Sequence, residues 1–188
     1  MRVSQDEMEK SHERILRGAA RLLRQRGIES TSVNDVMGEA GMKNGGFYRH
    51  FDSKEALVDA ALQSAFDQIV SFMETRFHQQ EPPALLAGFR AQYLSERHVG
   101  HPGEGCPVAA LSGDIARASN HLKESFSAGL NRTLAVLSSA MPGSKSQKRN
   151  RAIREFALAV GAVVIARACE PQTKRAVLDA CRKGYDEV

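Results

Sequence analysis

Hydrophobic positions near the start of the chain recur at helical spacing and are followed by a glycine. Arginines fill the intervening positions, which is typical of an amphipathic helix with one face toward a core. We expect this helix to begin near Asp6 or His12, to end at Arg26 and to be stopped by Gly27. Its apolar stripe comprises Ile15, Ala19, Leu22 and Leu23.

Two shorter helices are predicted next, separated by a tight turn. Ser32 is a good N-cap, and Asp35 three residues later completes a capping-box pattern. Gly41 ends this second helix, and a third short helix follows within two or three residues and runs to His50. The length of the pair and its glycine turn are those of a helix-turn-helix.

The remaining pattern predicts helices throughout. A long fourth helix starts after a cap at Asp52 or Ser53, and residues 98–105 read as a loop rich in Gly, Pro and His. Further helices are predicted to begin at Pro82-Pro83 and at Pro107 and to span Leu122–Ala140 and Pro171–Tyr185. A segment from Lys145 that starts basic and ends nearly all apolar is also predicted to be helical. We therefore expect an all-α protein.

Composition narrows the possible functions without identifying one. The net charge of +4 and the pI near 9.1 permit an anionic partner. The excess of basic over acidic residues is divided equally between residues 1–54 and residues 55–188, so it does not locate a binding site. The polar N-terminus has no signal-peptide core, and the apolar run 156–166 is too short for a bilayer, so we expect a cytoplasmic protein without membrane contact. The three cysteines have no metal-ligand spacing, and no catalytic constellation or cofactor motif is apparent, so we expect no metal, cofactor or enzymatic activity.

Two stretches between Glu13 and Leu57 have a distinctive pattern, "ILRGAARLLRQRG" and "TSVNDVMGEAGMKNGGFYRHFDSKEAL". In these stretches the chain resembles the TetR family of bacterial transcriptional regulators. This resemblance implies a helix-turn-helix DNA-binding domain in residues 1–54 and a helical domain in residues 55–188. The second domain would bind an effector and dimerise, so that a ligand-released repressor binds a palindromic operator on double-stranded DNA.

The resemblance also implies which residues meet DNA. Two glycines in a short helix cost about 2 kcal/mol relative to alanine, which is understandable if the backbone itself approaches DNA. Lys43 and Asn44 are candidates for reading bases, and Lys54 for a phosphate at a helix N-terminus. The full predicted set is Thr31, Ser32, Lys43, Asn44, Gly45, Phe47, Tyr48, His50 and Lys54. For Thr31 and Ser32 the alternative is capping alone, and for Phe47 it is a place in the core.

The apolar helix near residue 160 and the helix before it are predicted to form a homodimer interface. Small residues would allow close helix packing, although an ordinary buried core helix would have the same composition. The predicted interface residues are Leu130, Leu134, Leu137, Phe156, Val160, Val163 and Val164.

An effector pocket is expected among the middle helices. Its candidate lining residues, which would serve equally well in a core, are Phe66, Phe89, Tyr93, Val108, Leu111 and Phe126. Few ionisable residues fall on these apolar faces, so we expect a hydrophobic or aromatic small molecule.

Cys106 supports an alternative mechanism on the same scaffold. It precedes Pro107 at a predicted helix N-terminus, where a thiol pKa is lowered and the sulfur becomes reactive. Cys106 could then sense oxidants or electrophiles, whereas the other interpretation is a small buried residue beneath a loop. A metal site formed by Cys106 with His98 and His101 is conceivable geometrically but is not favoured.

Overall fold

The computed structural model describes residues 5–77 and 81–184, and every regular element in these ranges is helical. The α-helices are α1 (Gln5–Arg26), α2 (Val33–Glu39), α3 (Lys54–Phe77), α4 (Pro82–Tyr93), α5 (Glu96–Gly100), α6 (Pro107–Ile115), α7 (Asn120–Ser139), α8 (Lys145–Ala168) and α9 (Pro171–Gly184). Two 3₁₀ helices, Asn44–Arg49 and Pro102–Glu104, complete the fold. The all-α prediction is confirmed.

The N-terminal helices have the boundaries that their caps dictate. Helix α1 ends before Gly27, whose φ of 86° is easy for glycine only, and the α2 N-terminus carries the reciprocal Ser32–Asp35 capping box. The turn after α2 contains Gly41 with a φ of 69°. The predicted stops and cap are thus confirmed.

Two predicted features differ from the structure, and a third cannot be compared with it. The helix before His50 is a 3₁₀ helix, which suits a six-residue segment with two adjacent glycines. Residues 98–105, predicted as a loop, contain the end of α5 and the 3₁₀ helix Pro102–Glu104. Helix α9 ends at Gly184, and the predicted helical residue Tyr185 lies outside the described residues.

One continuous hydrophobic core joins the N-terminal helices to the rest. Helix α3 runs through it and packs against both α1 and α7. The close packing is visible at Gly129, where an added Cβ would lie 2.2 Å from Cδ2 of Phe66. Helix α3 therefore connects the N-terminal helices to the helices that follow through close packing.

Segment 101–106 forms a second connection to α1. The Arg24 guanidinium donates from Nη1 to the Gly105 carbonyl at 2.8 Å. Gly103 is buried against Arg21, since an added Cβ would lie 3.1 Å from the Arg21 carbonyl oxygen. The backbone amide of Ile28 also donates to Asp114 of α6 at 3.3 Å. The N-terminal helices are therefore fastened to α6 and to the segment before it.

Candidate nucleic-acid interface and ligand cavity

The 3₁₀ helix Asn44–Arg49 is anchored on one side and open on the other. Phe47 is 1% exposed and lies in the core, with Phe51 stacked at 5.8 Å between ring centroids. His12 of α1 stacks on Phe51 at 4.8 Å. These rings fix the helix against α1 and α2.

The open side carries polar and basic groups. Lys43, Asn44 and Gly45 are exposed, and Tyr48 is 78% exposed although its ring meets Phe47 edge-on. A Cβ built on Gly45 would have no heavy atom within 4 Å. The fold therefore imposes no steric requirement for glycine at this position, and the backbone is open to approach from outside.

The remaining predicted contacts are arranged around this side. Lys54 is half-buried in the first turn of α3, whose N-terminus is capped by Ser53 accepting from the Ala56 amide at 3.0 Å. His50 is also half-buried. Burial, helped by nearby His12, lowers the pKa of His50. A neutral imidazole here could still donate one hydrogen bond to a phosphate.

Three of the predicted contacts are already engaged within the fold. Phe47 is a core residue, so its assignment as a DNA contact is corrected: its side chain faces inward. Thr31 is 1% exposed and donates from Oγ1 to the Gly27 carbonyl at 2.7 Å, so its hydroxyl stabilises the end of α1. Ser32 is exposed but caps α2, accepting from the Asp35 amide at 3.1 Å.

A cavity of about 890 Å³ lies between α3, α4 and segment 95–106. Its walls are largely aromatic and aliphatic. The apolar and aromatic lining residues are Ile69, Phe72, Met73, Leu85, Phe89, Tyr93 and Phe156. This volume is in the range of small-molecule sites in proteins, which is about 300–1,000 Å³.

Only part of the predicted pocket lines this cavity. Phe89 and Tyr93 do, whereas Val108 and Leu111 are buried elsewhere in the core, which corrects their assignment. Phe66 and Phe126 likewise do not line it. They pack edge-to-face on each other at 5.6 Å, where α3 meets α7. Periodicity identified these apolar positions but could not distinguish a packed contact from a cavity wall.

The cavity also contains ionisable groups that the sequence did not place there. Its lining includes three arginines and one glutamate, namely Arg24, Arg76, Arg97 and Glu104. Arg24 belongs to α1, about 80 residues from segment 101–106 in the chain. No local sequence signal could have assigned it to the cavity.

His98 holds the cavity wall together. Its Nδ1 lies 2.6 Å from the Tyr93 carbonyl, and its Nε2 lies 3.0 Å from the Cys106 amide nitrogen. This geometry assigns Nδ1–H as donor and Nε2 as acceptor, and burial lowers the pKa of the ring. Both ring nitrogens are thereby occupied, so this arrangement leaves none for the metal site considered with His101.

Cys106 caps α6 as predicted but does not have the predicted thiol chemistry. The residue is 4% exposed, and burial raises the pKa of its thiol despite contacts with Tyr93 and backbone amides. Desolvation outweighs the helix N-terminus here. The expectation of a lowered pKa is therefore corrected.

The helices predicted to dimerise present outward a set of residues that shares only Val164 with the predicted one. Leu134, Leu137, Phe156 and Val163 are buried within the protomer itself, so their assignment to the interface is corrected. Leu130 and Val160 are half-buried. The outward apolar residues of α8 are Ile153, Leu158, Val164 and Ile165, which are 38–51% exposed.

Comparisons with known proteins agree with this architecture. Residues 15–61 match the family described as bacterial regulatory proteins, tetR family. The repressor KstR2 of Rhodococcus jostii is 43% identical over 51 residues, which cover 27% of this chain and 25% of that protein. An uncharacterised HTH-type transcriptional regulator of Mycobacterium tuberculosis is 30% identical over 107 residues, covering 56% of this chain and 53% of that protein. These matched segments thus span between a quarter and about half of those relatives.

Solved structures resemble nearly the whole chain. Reduced NemR of E. coli superposes with a TM-score of 0.79 at 20% identity, covering 95% of this chain and 96% of that one. A TetR regulator of Legionella pneumophila has the same TM-score at 18% identity, covering 100% and 98%. No helix in the described part of the chain is long and apolar enough to cross a membrane. Residues 15–61 thus match the tetR family of bacterial regulatory proteins, and the chain as a whole has the fold of solved TetR-family regulators.

Proposed function

We propose that this regulator is a homodimeric repressor that binds a palindromic operator and is released by a small molecule in the cavity. The observation that supports DNA binding most directly is the exposed side of the 3₁₀ helix Asn44–Arg49. There, exposed polar side chains lie beside Gly45, at which an added Cβ would meet no heavy atom of the described residues within 4 Å. A major groove admits a narrow element whose side chains reach base edges.

Each exposed residue has a role in this proposal. Lys43 and Asn44 read base edges, because their side chains are exposed and can donate to guanine or pair with adenine. Tyr48 and Lys54 hold phosphates on either side, and His50 supports them. Gly45 allows the close approach. Residues 1–54 would then be the DNA-binding domain and residues 55–188 the effector and dimerisation domain.

The homodimer is supported by the outward face of α8. Val164 and Ile165 are 45% and 51% exposed, and Leu158 is 38% exposed. A partner helix of the same kind would remove this surface from water, which is worth about 25 cal/mol per Å² of apolar area. Two copies would present two 3₁₀ helices to successive major grooves, which explains the expectation of a palindrome.

Release by a non-covalent ligand is favoured over a thiol switch at Cys106. The cavity has room for a small molecule, whereas the Cys106 sulfur is buried and the pKa of its thiol is raised. A ligand that prefers the conformation with low DNA affinity would shift the population toward it. Helix α3 and segment 101–106 both join the cavity to the N-terminal helices, so either could transmit the change.

The experiment that tests DNA binding starts with selection of bound fragments from a random DNA pool by the purified protein. Affinity for the selected fragment is then measured for wild type and for the double variant Tyr48→Ala and Lys54→Ala. We expect specific binding to be lost at about 0.15 M salt, because two phosphate contacts are removed. The matched control is Lys123→Ala, an exposed lysine on α7 far from this surface in the chain. Unchanged affinity in a folded double variant would show that another surface binds DNA.

A further inference from the structure

The cavity contains a buried cation that forms no salt bridge in the described chain, although the Glu104 carboxylate is near enough to act on it electrostatically. Arg24 is 7% exposed and lines the cavity wall. Its Nε donates to the Ala20 carbonyl at 2.9 Å and its Nη1 to the Gly105 carbonyl at 2.8 Å. Within residues 5–77 and 81–184 it forms no ion pair, and its Nη2 has no hydrogen-bond partner. A guanidinium has five N–H donors, so its capacity is only partly used.

Burial of this kind is costly unless a partner compensates for it. Removing a charge from water costs several kcal/mol, and carbonyl dipoles recover only part of that. Arg90 on α4 shows how this chain treats another partly buried arginine. Its guanidinium forms a bidentate pair with the buried Glu155 carboxylate at 2.6 and 3.0 Å. Arg24 lacks an equivalent carboxylate and lies where a ligand could supply one.

The other charges of the cavity have the same sign. Arg76 and Arg97 also line it, and the carboxylate among the lining residues, Glu104, is 3.3 Å from Arg97. Arg76 lies over the Phe72 ring at 5.1 Å and has no ion pair in the described chain. The lining therefore has a formal excess of two positive charges, from three arginines and one glutamate. The apolar walls would bind the apolar part of a ligand, and the excess positive charge would bind an anionic part of the same ligand.

We propose that the cavity binds an organic anion with an apolar or aromatic body, and that Arg24 receives its anionic group. The body lies against the aromatic wall of Phe72, Phe89 and Phe156, and the anion takes the free Nη2 donors of Arg24. This inference deepens the proposed function, because it specifies the class of effector for the same cavity. It adds an anionic group to the hydrophobic or aromatic effector that the sequence leads us to expect.

The position of Arg24 connects anion binding in the cavity to the N-terminal helices. Arg24 lies on α1, and its bond to Gly105 ties α1 to segment 101–106. An anionic group with two acceptor oxygens would use Nη1 as well as the free Nη2, and it would then compete with the Gly105 carbonyl for the Nη1 donor. Ligand binding would thus weaken a direct link between the cavity wall and the DNA-binding helices.

Two fluorescent probes with the same ring system test the proposal. 1-Anilinonaphthalene-8-sulfonate carries an anion, and N-phenyl-1-naphthylamine lacks it. Dissociation constants for both are measured with wild type, with Arg24→Gln, and with the control Arg14→Gln, which removes an exposed charge from the same helix. Arg24→Lys, which keeps the charge, is included as a conservative variant.

We expect wild type to bind the sulfonate at least about tenfold more tightly than the neutral probe, because hydrogen bonds to charged groups are worth that much. Arg24→Gln should abolish this preference without changing affinity for the neutral probe, and Arg14→Gln should preserve it. Arg24→Lys should retain part of it.

Equal binding of the two probes by wild type would overturn the proposal, and that comparison needs no variant to fold. An unchanged preference for the sulfonate in a folded Arg24→Gln variant would also overturn it. Arg24 would then have only the structural role of joining α1 to segment 101–106. These readouts involve no DNA. If wild type binds operator DNA but shows no preference for the sulfonate, the ligand class alone is refuted. If wild type prefers the sulfonate but binds no specific DNA, the DNA-binding proposal alone is refuted.

Discussion

Replacing Gly45 by alanine separates what the fold needs at this position from what DNA needs. The φ of Gly45 is not positive, and an added Cβ would meet no heavy atom within 4 Å. Alanine should therefore be accepted without strain. Since alanine is favoured over glycine in a helix by up to about 1 kcal/mol, the variant should be slightly more stable than wild type.

The effect on DNA binding should have the opposite sign. If the Gly45 backbone approaches DNA closely, the added methyl must push the helix away. Overpacking a tight contact costs about 1–3 kcal/mol, which corresponds to an affinity loss of about five- to 150-fold. Stability and affinity would then change in opposite directions, a result that general damage to the protein cannot produce.

The assay pairs thermal unfolding with titration of the selected DNA fragment. For a chain of this size, 1 kcal/mol corresponds to a shift of about 2–4 °C in Tm. The control is Gly113→Ala in α6, a helical glycine whose added Cβ would also meet nothing within 4 Å. It should gain stability and keep its affinity. Wild-type affinity in Gly45→Ala would refute the close approach of this backbone, and a loss of stability would show that the fold itself requires glycine.

Two further predictions concern the dimer and pH. Ile165→Asp places a charge on the outward face of α8, so sedimentation should show a species near 20.6 kDa where wild type has about twice that mass. An unaltered dimer would show that the interface lies on another surface. The pKa of His98 is lower in the folded protein than in the unfolded chain. The neutral ring therefore contributes stability above the unfolded pKa of about 6.5, and this contribution is lost as the pH falls below that value. The Tm should drop between pH 7.5 and pH 5.5, and His98→Gln should reduce the drop, whereas an equal drop in both proteins would contradict the role given to His98.

Local sequence signals predicted the N-terminal helices well because their determinants are local. The Ser32–Asp35 capping box and the glycines at positions 27 and 41 act through bonds and backbone angles within a few residues. The same signals could not distinguish the 3₁₀ helix Asn44–Arg49 from an α-helix, because six residues carry little periodicity. They also could not identify the two short helices around Pro102.

The cavity and the dimer face were harder because both depend on which elements meet. Phe156 reads as an interface residue on an apolar helix, yet it lines the cavity because α8 packs against α4. Val163 satisfies the same pattern and is fully buried in its own protomer. Only the tertiary arrangement shows which side of a mostly apolar helix is already covered.

The sequence and the structure place Arg24 in different environments. In the sequence it is one of several arginines on the polar side of an amphipathic helix, where solvation is the ordinary outcome. In the fold it is buried, because segment 101–106 lies over the end of α1 and brings the Gly105 carbonyl to it. A cation in that position is stabilised incompletely by carbonyls, and it borders both the cavity and the DNA-binding helices. An anionic effector would therefore relieve the charge and loosen the connection through the same contact, which couples binding to release without requiring a separate relay.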